Sequence, residues 1–422
     1  MSQSPVTGVL LLRLFFPFAL GYFVSYVFRT VNAVIAPDLV AALTLSPADL
    51  GLLTSAYFLA FAAFQLPLGV LLDRFGSRRV EGLLLLFAAT GALLFSQAQS
   101  LTALIIGRAL IGLGVSACLM AAFKAFSIWL PAERLPFANG VQMVSGGMGA
   151  LVATTPIQTA LEFTDWRGVF QLLAGLTLLA AGAVYWLVPE QPPSSAATES
   201  FREQWRGLHQ VLTSRRFWQI APWAFTAQAA YLSIQGLWSG PWLRDVAGYD
   251  RDQVAGTLCW IALAMVAGYF FFGSLAARLS RRGIRPALVA GCGMGIFILI
   301  QALLVFAPQL TFPLWLGFGF FGTSCILPYA ILSQAFSRQL VGRSNTALNL
   351  LVFVSAFGAQ WLIGTVLGYW PVAATGGYHP DGYRWAFLLL IAAQLLAVIW
   401  YFRLRQMPAR EKTTESSRYR TT

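Results

Sequence analysis

The sequence predicts an all-α membrane protein: twelve transmembrane helices in two pseudo-symmetric six-helix bundles. Three observations carry that prediction. The 422 residues are 58% hydrophobic and only 10% charged, where a soluble domain carries about 25% charged residues. Residues 82–107, 217–243 and 286–337 contain no Asp, Glu, Lys or Arg, and a helix of about 20 apolar residues crosses the hydrocarbon. The basic residues, finally, crowd one side of the spans so defined.

In order, the spans are expected at 11–36, 50–72, 80–99, 102–128, 136–160, 168–189, 217–241, 253–276, 286–307, 312–336, 345–369 and 385–404. Turn signals separate several of them, such as Ser46-Pro-Ala-Asp49, Trp129-Leu-Pro-Ala132 and Ala307-Pro-Gln309. Hydrocarbon offers the backbone no hydrogen-bond partner, so runs this long and apolar are helices. The organisation expected is an N-terminal bundle over 1–190, a linker over 191–216, a C-terminal bundle over 217–405 and a basic tail over 406–422.

With the N-terminus inside, one face collects Arg13, Arg74, Arg78, Arg79, Arg134, Arg202, Arg206, Arg215, Arg216, Arg278, Arg281, Arg282, Arg285, Arg338 and Arg343. The tail adds Arg403, Arg405, Arg410, Lys412, Arg418 and Arg420. The other face has only Arg167, Arg244, Arg251 and Arg384. Cytoplasmic loops carry such an excess of Lys and Arg, so both termini are placed in the cytoplasm and the chain in the cell inner membrane. The net charge of +12 then faces a lipid bilayer, and nucleic acid is not a partner. The opening MSQSPVTG lacks a basic n-region and a small-residue cleavage site, so the first span is expected to be retained. Cys118, Cys259, Cys292 and Cys325 fall in apolar runs with no metal or disulfide spacing, which leaves them as packing residues.

Within the linker, Phe201, Trp205, Leu208 and Leu212 recur at helical spacing beside Arg202 and Arg206. Such a segment lies on the inner leaflet, apolar side toward the lipid; the alternative is a plain linker. The halves also repeat each other. Gly69 to Arg79 is echoed by Gly273 to Arg282, Ala125-Phe-Ser127 with Arg134 by Ala335-Phe-Ser337 with Arg343, and Asp165-Trp-Arg167 with Phe170 by Gly382-Tyr-Arg384 with Phe387. Parallel repeats of this kind place a binding site at mid-membrane between the halves.

The segment Gly69-Val-Leu-Leu-Asp73-Arg74-Phe-Gly76-Ser-Arg78-Arg79 resembles the loop signature of the major facilitator superfamily, between the second and third spans. Arg108-Ala-Leu-Ile-Gly112-Leu-Gly114 on the fourth span and Trp166-Arg167 before the sixth are similar to weaker marks of that family. The resemblance implies twelve helices and a conformational latch formed by Gly69, Asp73, Arg74, Gly76, Arg78 and Arg79, which holds the outward-open state. Physically, Gly69 lets another helix approach, and Asp73 lies where the N-terminus of the eleventh helix is expected, an arrangement worth about 0.3–1 kcal/mol. Ala277 replaces the acidic residue in the second half, so a matching latch there is weaker. Arg108 takes a structural and gating role.

Arg29, Arg108 and Lys124 fall inside spans, and a charge near mid-bilayer costs about 2.5–3.5 kcal/mol or more. Tyr22, Tyr26, Arg29 and Asn32 share one helix face at steps of four, three and three. Tyr26-x-x-Arg29-x-x-Asn32 resembles the first helix of facilitators for organic anions, anion symporters and organophosphate exchangers among them. That resemblance implies that Arg29 clamps a carboxylate or phosphate; the alternatives are snorkelling or a bond to a neighbouring helix. Lys124, near the inner end of its helix, reaches either the cavity or the headgroups. All sixteen acidic residues and both histidines are read as lying in loops, tails or helix ends. A membrane interior with fixed positive charge and no carboxylate favours a neutral or anionic substrate. It also lacks an obvious proton carrier, so coupling falls to a substrate-borne proton, an exchanged anion or a residue such as Asp38.

Further cavity candidates are Gln228, Tyr231, Gln235 and Trp238 on the seventh span, Tyr57, Phe61 and Gln65 on the second, Tyr329 on the tenth, and Asn349 and Gln360 on the eleventh. For each, helix-to-helix hydrogen bonding is the alternative. The seventh span has no counterpart of Arg29, where facilitators that grip phosphate often have a second basic residue. Gly146, Gly147 and Gly149 with Pro156 depart from the glycine–proline pattern of drug-efflux members and favour uptake. The function expected is secondary active transport of a small, carboxylate-like organic anion by alternating access, in a monomer coupled to a proton or an exchanged anion. The alternative is a multidrug or metabolite exporter of the same fold. No nucleophile, metal or phosphate-loop constellation is present, so neither an enzyme, a cofactor nor a metal is expected.

Overall fold

The computed structural model describes residues 8–130, 135–190, 201–284, 286–336, 338–373 and 377–406. The expectations for Glu133, Arg134, Glu199, Arg285, Ser337 and the tail from 407 fall outside the described residues.

The first half runs through α1 (Gly8–Thr30), α2 (Asn32–Leu43), α3 (Pro47–Gln97), α4 (Leu101–Gly114), α5 (Cys118–Trp129), α6 (Leu135–Val152), α7 (Thr155–Ala160) and α8 (Trp166–Leu187). After α9 (Phe201–Leu212), the second half follows. It comprises α10 (Arg215–Ser233), a π turn at Ile234–Trp238, α11 (Ser239–Asp245), α12 (Arg251–Arg281), α13 (Pro286–Phe306), α14 (Thr311–Gly322), a 3-10 turn at Thr323–Ile326, α15 (Leu327–Ala335), α16 (Arg338–Leu367) and α17 (Pro380–Gln406).

Among the described residues eight helices are long and apolar enough to cross a membrane, or nine with the bent pair α1–α2. α3 crosses twice: Gly76 sits at φ 78°, a left-handed conformation that glycine adopts without a Cβ clash, and there the chain turns back. Tyr57 on the first limb and Ala88 on the second both pack on α4, against Gly112 and Gly114, so they lie at similar depth. The interrupted helices α6–α7 and α10–α11 complete the twelve crossings.

Helix starts explain several boundaries. Ser46 and Asp49 form a reciprocal capping box on α3, and Asp250 and Gln253 form one on α12. These are the second crossing of each half. Each cap satisfies backbone N–H groups left without helical partners and contributes about 1 kcal/mol.

Contacts remote in sequence define the two faces. Arg79 pairs with Glu190, while Arg215 donates to the Leu404 carbonyl and Arg216 to that of Ala335; we call this the basic face. On the opposite face Arg251 pairs with Asp38 and donates to Gln158 Oε1 at 3.1 Å. There Asp245 accepts from Arg244, from the Tyr378 N–H and from the Tyr383 hydroxyl. The internal repeat is visible too. Arg167 donates to the Ala98 carbonyl, and Arg384 lies over the Phe306 ring, each reaching the end of the third crossing of its half.

α9 departs from expectation. Part of its apolar side turns inward: Leu208 and Val211 are buried in the protein, where Gly207 lies against Arg343 of α16. Trp205 remains 55% exposed.

Candidate functional site

Five of the crossings are interrupted. The first crossing bends by 49° between α1 and α2. The fourth breaks at Val115–Ala117, the fifth between α6 and α7, the seventh at its π turn, and the tenth at its 3-10 turn. Broken helices at mid-membrane persist only where protein or a cavity satisfies the freed backbone. At the first break Arg108, fully buried on α4, donates to the Phe28 carbonyl at 2.8 Å and lies over the Tyr57 ring. That bond occupies a carbonyl in the last turn of α1.

Between the halves lies a cavity of about 750 Å³. Arg29 stands at its deep end, and Leu72, Trp205, Gly342 and Arg343 line its mouth, so it opens at the basic face. Above Arg29 it is closed by rings from both halves, with Phe61 and Phe353 centroids 4.2 Å apart. Farther toward the opposite face a Cβ added at Gly51 of α3 would lie 2.9 Å from the Gln360 carbonyl of α16. That packing and the Asp38–Arg251 pair seal the other entrance.

The Arg29 guanidinium is held in an aromatic box, 4.6 Å from the Tyr26 ring centroid, 5.6 Å from Phe61 and 5.5 Å from Phe353. The residue is only 9% exposed, and its Nε has no hydrogen-bond partner among the described residues. Among the described residues no carboxylate pairs with it. Aromatic faces return about 0.5–2 kcal/mol, less than the several kcal/mol it costs to take a charge out of water. The balance leaves Arg29 a desolvated cation that an anionic partner would stabilise.

Around it the structure brings together Tyr22, Tyr26, Gln65, Gln228, Tyr231, Tyr329 and Asn349 of the expected set. Tyr329 donates to Asn349 Oδ1 at 3.0 Å, Asn349 Nδ2 to Gln65 Oε1 at 3.1 Å, and Gln65 Nε2 to the Ser116 carbonyl at 3.3 Å. This chain of bonds crosses from one half to the other. The Tyr231 hydroxyl and the Gln228 side-chain carbonyl oxygen are buried without partners among the described residues; between them they have one donor and two acceptors.

Other expected wall residues lie elsewhere. Asn32 falls beyond the first break, which turns it to donate to Thr54 at 2.9 Å. Tyr57 points into the first half, donating to the Ser25 carbonyl. Gln235 and Trp238 belong to the π turn, whose extra residue rotates the helix face; Gln235 meets the Met265 sulfur and Trp238 donates to the Gln360 carbonyl. Gln360 lies in the closed packing, its amide directed to the Ser233 carbonyl. Lys124 neither lines the cavity nor snorkels: it pairs with Asp73. Asp73 is thereby held inside its own half instead of at the start of α16, because the open mouth parts α3 from α16 there. Of the other latch residues, Gly69 lines the cavity, Arg74 and Arg78 lie over the Phe75 and Tyr185 rings, and Arg79 pairs with Glu190.

One expectation about charge is overturned. Glu81 is not at a helix end in contact with headgroups but fully buried, its Oε1 packed on Gly21 of α1. The second limb of α3 is helical from 77, so position 81 is already a turn deep, and Gly21 leaves the space. Glu81 does not line the cavity, so among the described residues the cavity still presents a guanidinium and no acid.

Tyr269 and Ser116 on the wall were not anticipated. The repeat contained the signal: with Gly69 matched to Gly273, Gln65 maps to Tyr269, and with Ala125 matched to Ala335, Ser116 maps to Ile326, which also lines the cavity.

Comparison with known proteins agrees with this architecture. A hexuronate transporter of Escherichia coli is 25% identical over 94% of both chains. A probable sulfoacetate transporter of Cupriavidus necator is 23% identical over 69% of this chain and 70% of its own. The solved inward-facing, occupied structure of a bacterial homolog of the human lysosomal transporter Spinster superposes with a TM-score of 0.76 at 18% identity, covering 94% of this chain and 97% of that one. The profile of the Major Facilitator Superfamily matches residues 18–359, and the chain belongs to that family of membrane transporters.

Proposed function

We propose that this transporter moves a small organic anion across the cytoplasmic membrane by alternating access, as a secondary active carrier. The observation that carries the reading is the buried Arg29 guanidinium, without a carboxylate partner, at the closed end of a cavity open to one side. Its planar fork of donors matches a carboxylate or sulfonate, and the tyrosine hydroxyls and amides around it address the rest of the molecule. The anionic substrates named for the relatives, a hexuronate and sulfoacetate, support it.

In this reading the basic face is cytoplasmic by the positive-inside rule, both termini lie there, and the structure is the inward-open state. The halves, 1–190 and 217–405, rock about Arg29. Closing the mouth frees Asp73 from Lys124 to meet the start of α16, while the Asp38–Arg251 pair parts on the other side.

The test is counterflow in liposomes loaded with unlabelled galacturonate, sulfoacetate or lactate, each assayed with its own tracer, and choline as the cationic control. Saturable exchange of at least one anion and none of choline is expected. Exchange of choline, or of none of the anions, contradicts the reading.

A further inference from the structure

Glu81 is the one acidic side chain among the described residues that is fully buried and has neither carboxyl oxygen in a well-formed hydrogen bond. No cation pairs with it among those residues. Eight residues separate Arg13 from Gly21 on α1, so the site lies roughly 12 Å along the helix from that basic residue. An ionised carboxylate there is a bare charge in a low-dielectric interior, a cost of several kcal/mol, which a bound proton removes.

Few ionisable groups surround it. On α1, Gly21 carries no side chain and Tyr22 turns into the cavity. From α5 comes the Cys118 thiol, its polar neighbour. α8 brings Tyr185, packed on Gly82 and under the Arg78 guanidinium. On α3 itself Asp73, Arg78 and Arg79 are engaged with Lys124, Tyr185 and Glu190.

The place of Cys118 gives the carboxyl a route to the rest of the molecule. Cys118 begins α5 directly after the break at Val115–Ala117. Two residues earlier, Ser116 lines the cavity and its carbonyl accepts from Gln65, which accepts in turn from Asn349 of the other half. One break in one helix therefore touches the buried acid on one side and the bond between halves on the other.

We propose that Glu81 is a proton-binding site of the transport cycle, its charge state read through the break in the fourth crossing by the Gln65–Asn349 bond. One proton is taken from bulk water onto a carboxylate oxygen and returned to bulk water later in the cycle; no other bond changes. The inward-open structure holds the protonated carboxyl. An anion on Arg29 cancels the positive charge of the site and makes a second negative charge nearby less favourable, so anion binding and proton binding assist each other reciprocally. This last step rests on the anion reading above; the protonation does not.

The test uses full-length protein in liposomes without any anion substrate, so its failure is distinct from failure of the anion reading. Infrared difference spectra between pH 5 and pH 9 are recorded for wild type and the isosteric variant Glu81→Gln. Backbone hydrogen exchange of α2 and α11, corrected for intrinsic rates, is followed at both pH values. A protonated-carboxyl band that titrates in wild type and is missing from Glu81→Gln is expected. So is exchange in the variant that matches acid-form wild type at both pH values, where wild type differs at least threefold. A merely structural, permanently neutral Glu81 gives no titrating band and the same exchange at both pH values. Either result overturns the proposal, as does a Glu81→Gln protein that keeps the wild-type pH dependence.

Discussion

Replacing Arg29 by alanine removes the charge at the closed end of the cavity. At about 4 Å and an effective dielectric near 20, a carboxylate and a guanidinium attract by about 4 kcal/mol. Truncating one member of a buried, hydrogen-bonded charge pair costs about 2–5 kcal/mol. At 1.4 kcal/mol per decade, anion affinity should fall between about thirty- and a few thousand-fold. Arg29→Lys keeps the charge but loses the planar fork and the stacking on Tyr26, Phe61 and Phe353, and should lose about tenfold. Isothermal titration of purified protein with the transported anion and with its uncharged amide separates charge from packing. The wild type should prefer the acid strongly and Arg29→Ala should have little preference. The empty variant should be as stable as wild type or more so, since it no longer buries a cation without a carboxylate partner. An alanine variant that binds the anion within about threefold of wild type, or that loses equal affinity for acid and amide, refutes the reasoning.

Two further perturbations probe the gates. Gly51→Leu puts a side chain where even a Cβ meets the Gln360 carbonyl at 2.9 Å, so it should disfavour closure of the opposite face; alkylation of a cysteine placed at Leu50 should rise severalfold, and unchanged labelling counts against that seal. Lys124→Ala should leave equilibrium anion affinity within about twofold, because Lys124 pairs with Asp73 away from the cavity. It should also shift the protein toward the state open at the opposite face by freeing Asp73, seen as a shorter spin-label distance across the mouth at the basic face; a tenfold loss of affinity with no distance change would place Lys124 at the substrate instead.

The crossings, the halves and the loop signature could be read because hydrocarbon imposes long apolar runs and one-sided arginines. Tyr22, Tyr26 and Arg29 were legible because they precede the first break, on a stretch of regular helix. Asn32, Gln235 and Trp238 were misplaced for the complementary reason: periodicity extrapolates a straight helix, whereas the break at Val31 and the π turn rotate the faces that follow. Glu81 was misread because a boundary error of a few residues separates a headgroup contact from a buried acid. The conformational state cannot be legible in a sequence that must specify both; that Asp73 sits with Lys124 and not at α16 is a property of the open mouth.

The most direct test of the central claim is an electron cryo-microscopy structure of the protein with a transported anion bound. The account predicts the anionic oxygens within about 3 Å of the Arg29 guanidinium, with Tyr26 and Tyr231 around the bound molecule. A second, smaller crevice on the opposite face is lined by Pro37, Leu50, Arg244 and Tyr378; density for the anion there, with Arg29 still enclosed by its three rings alone, would contradict it.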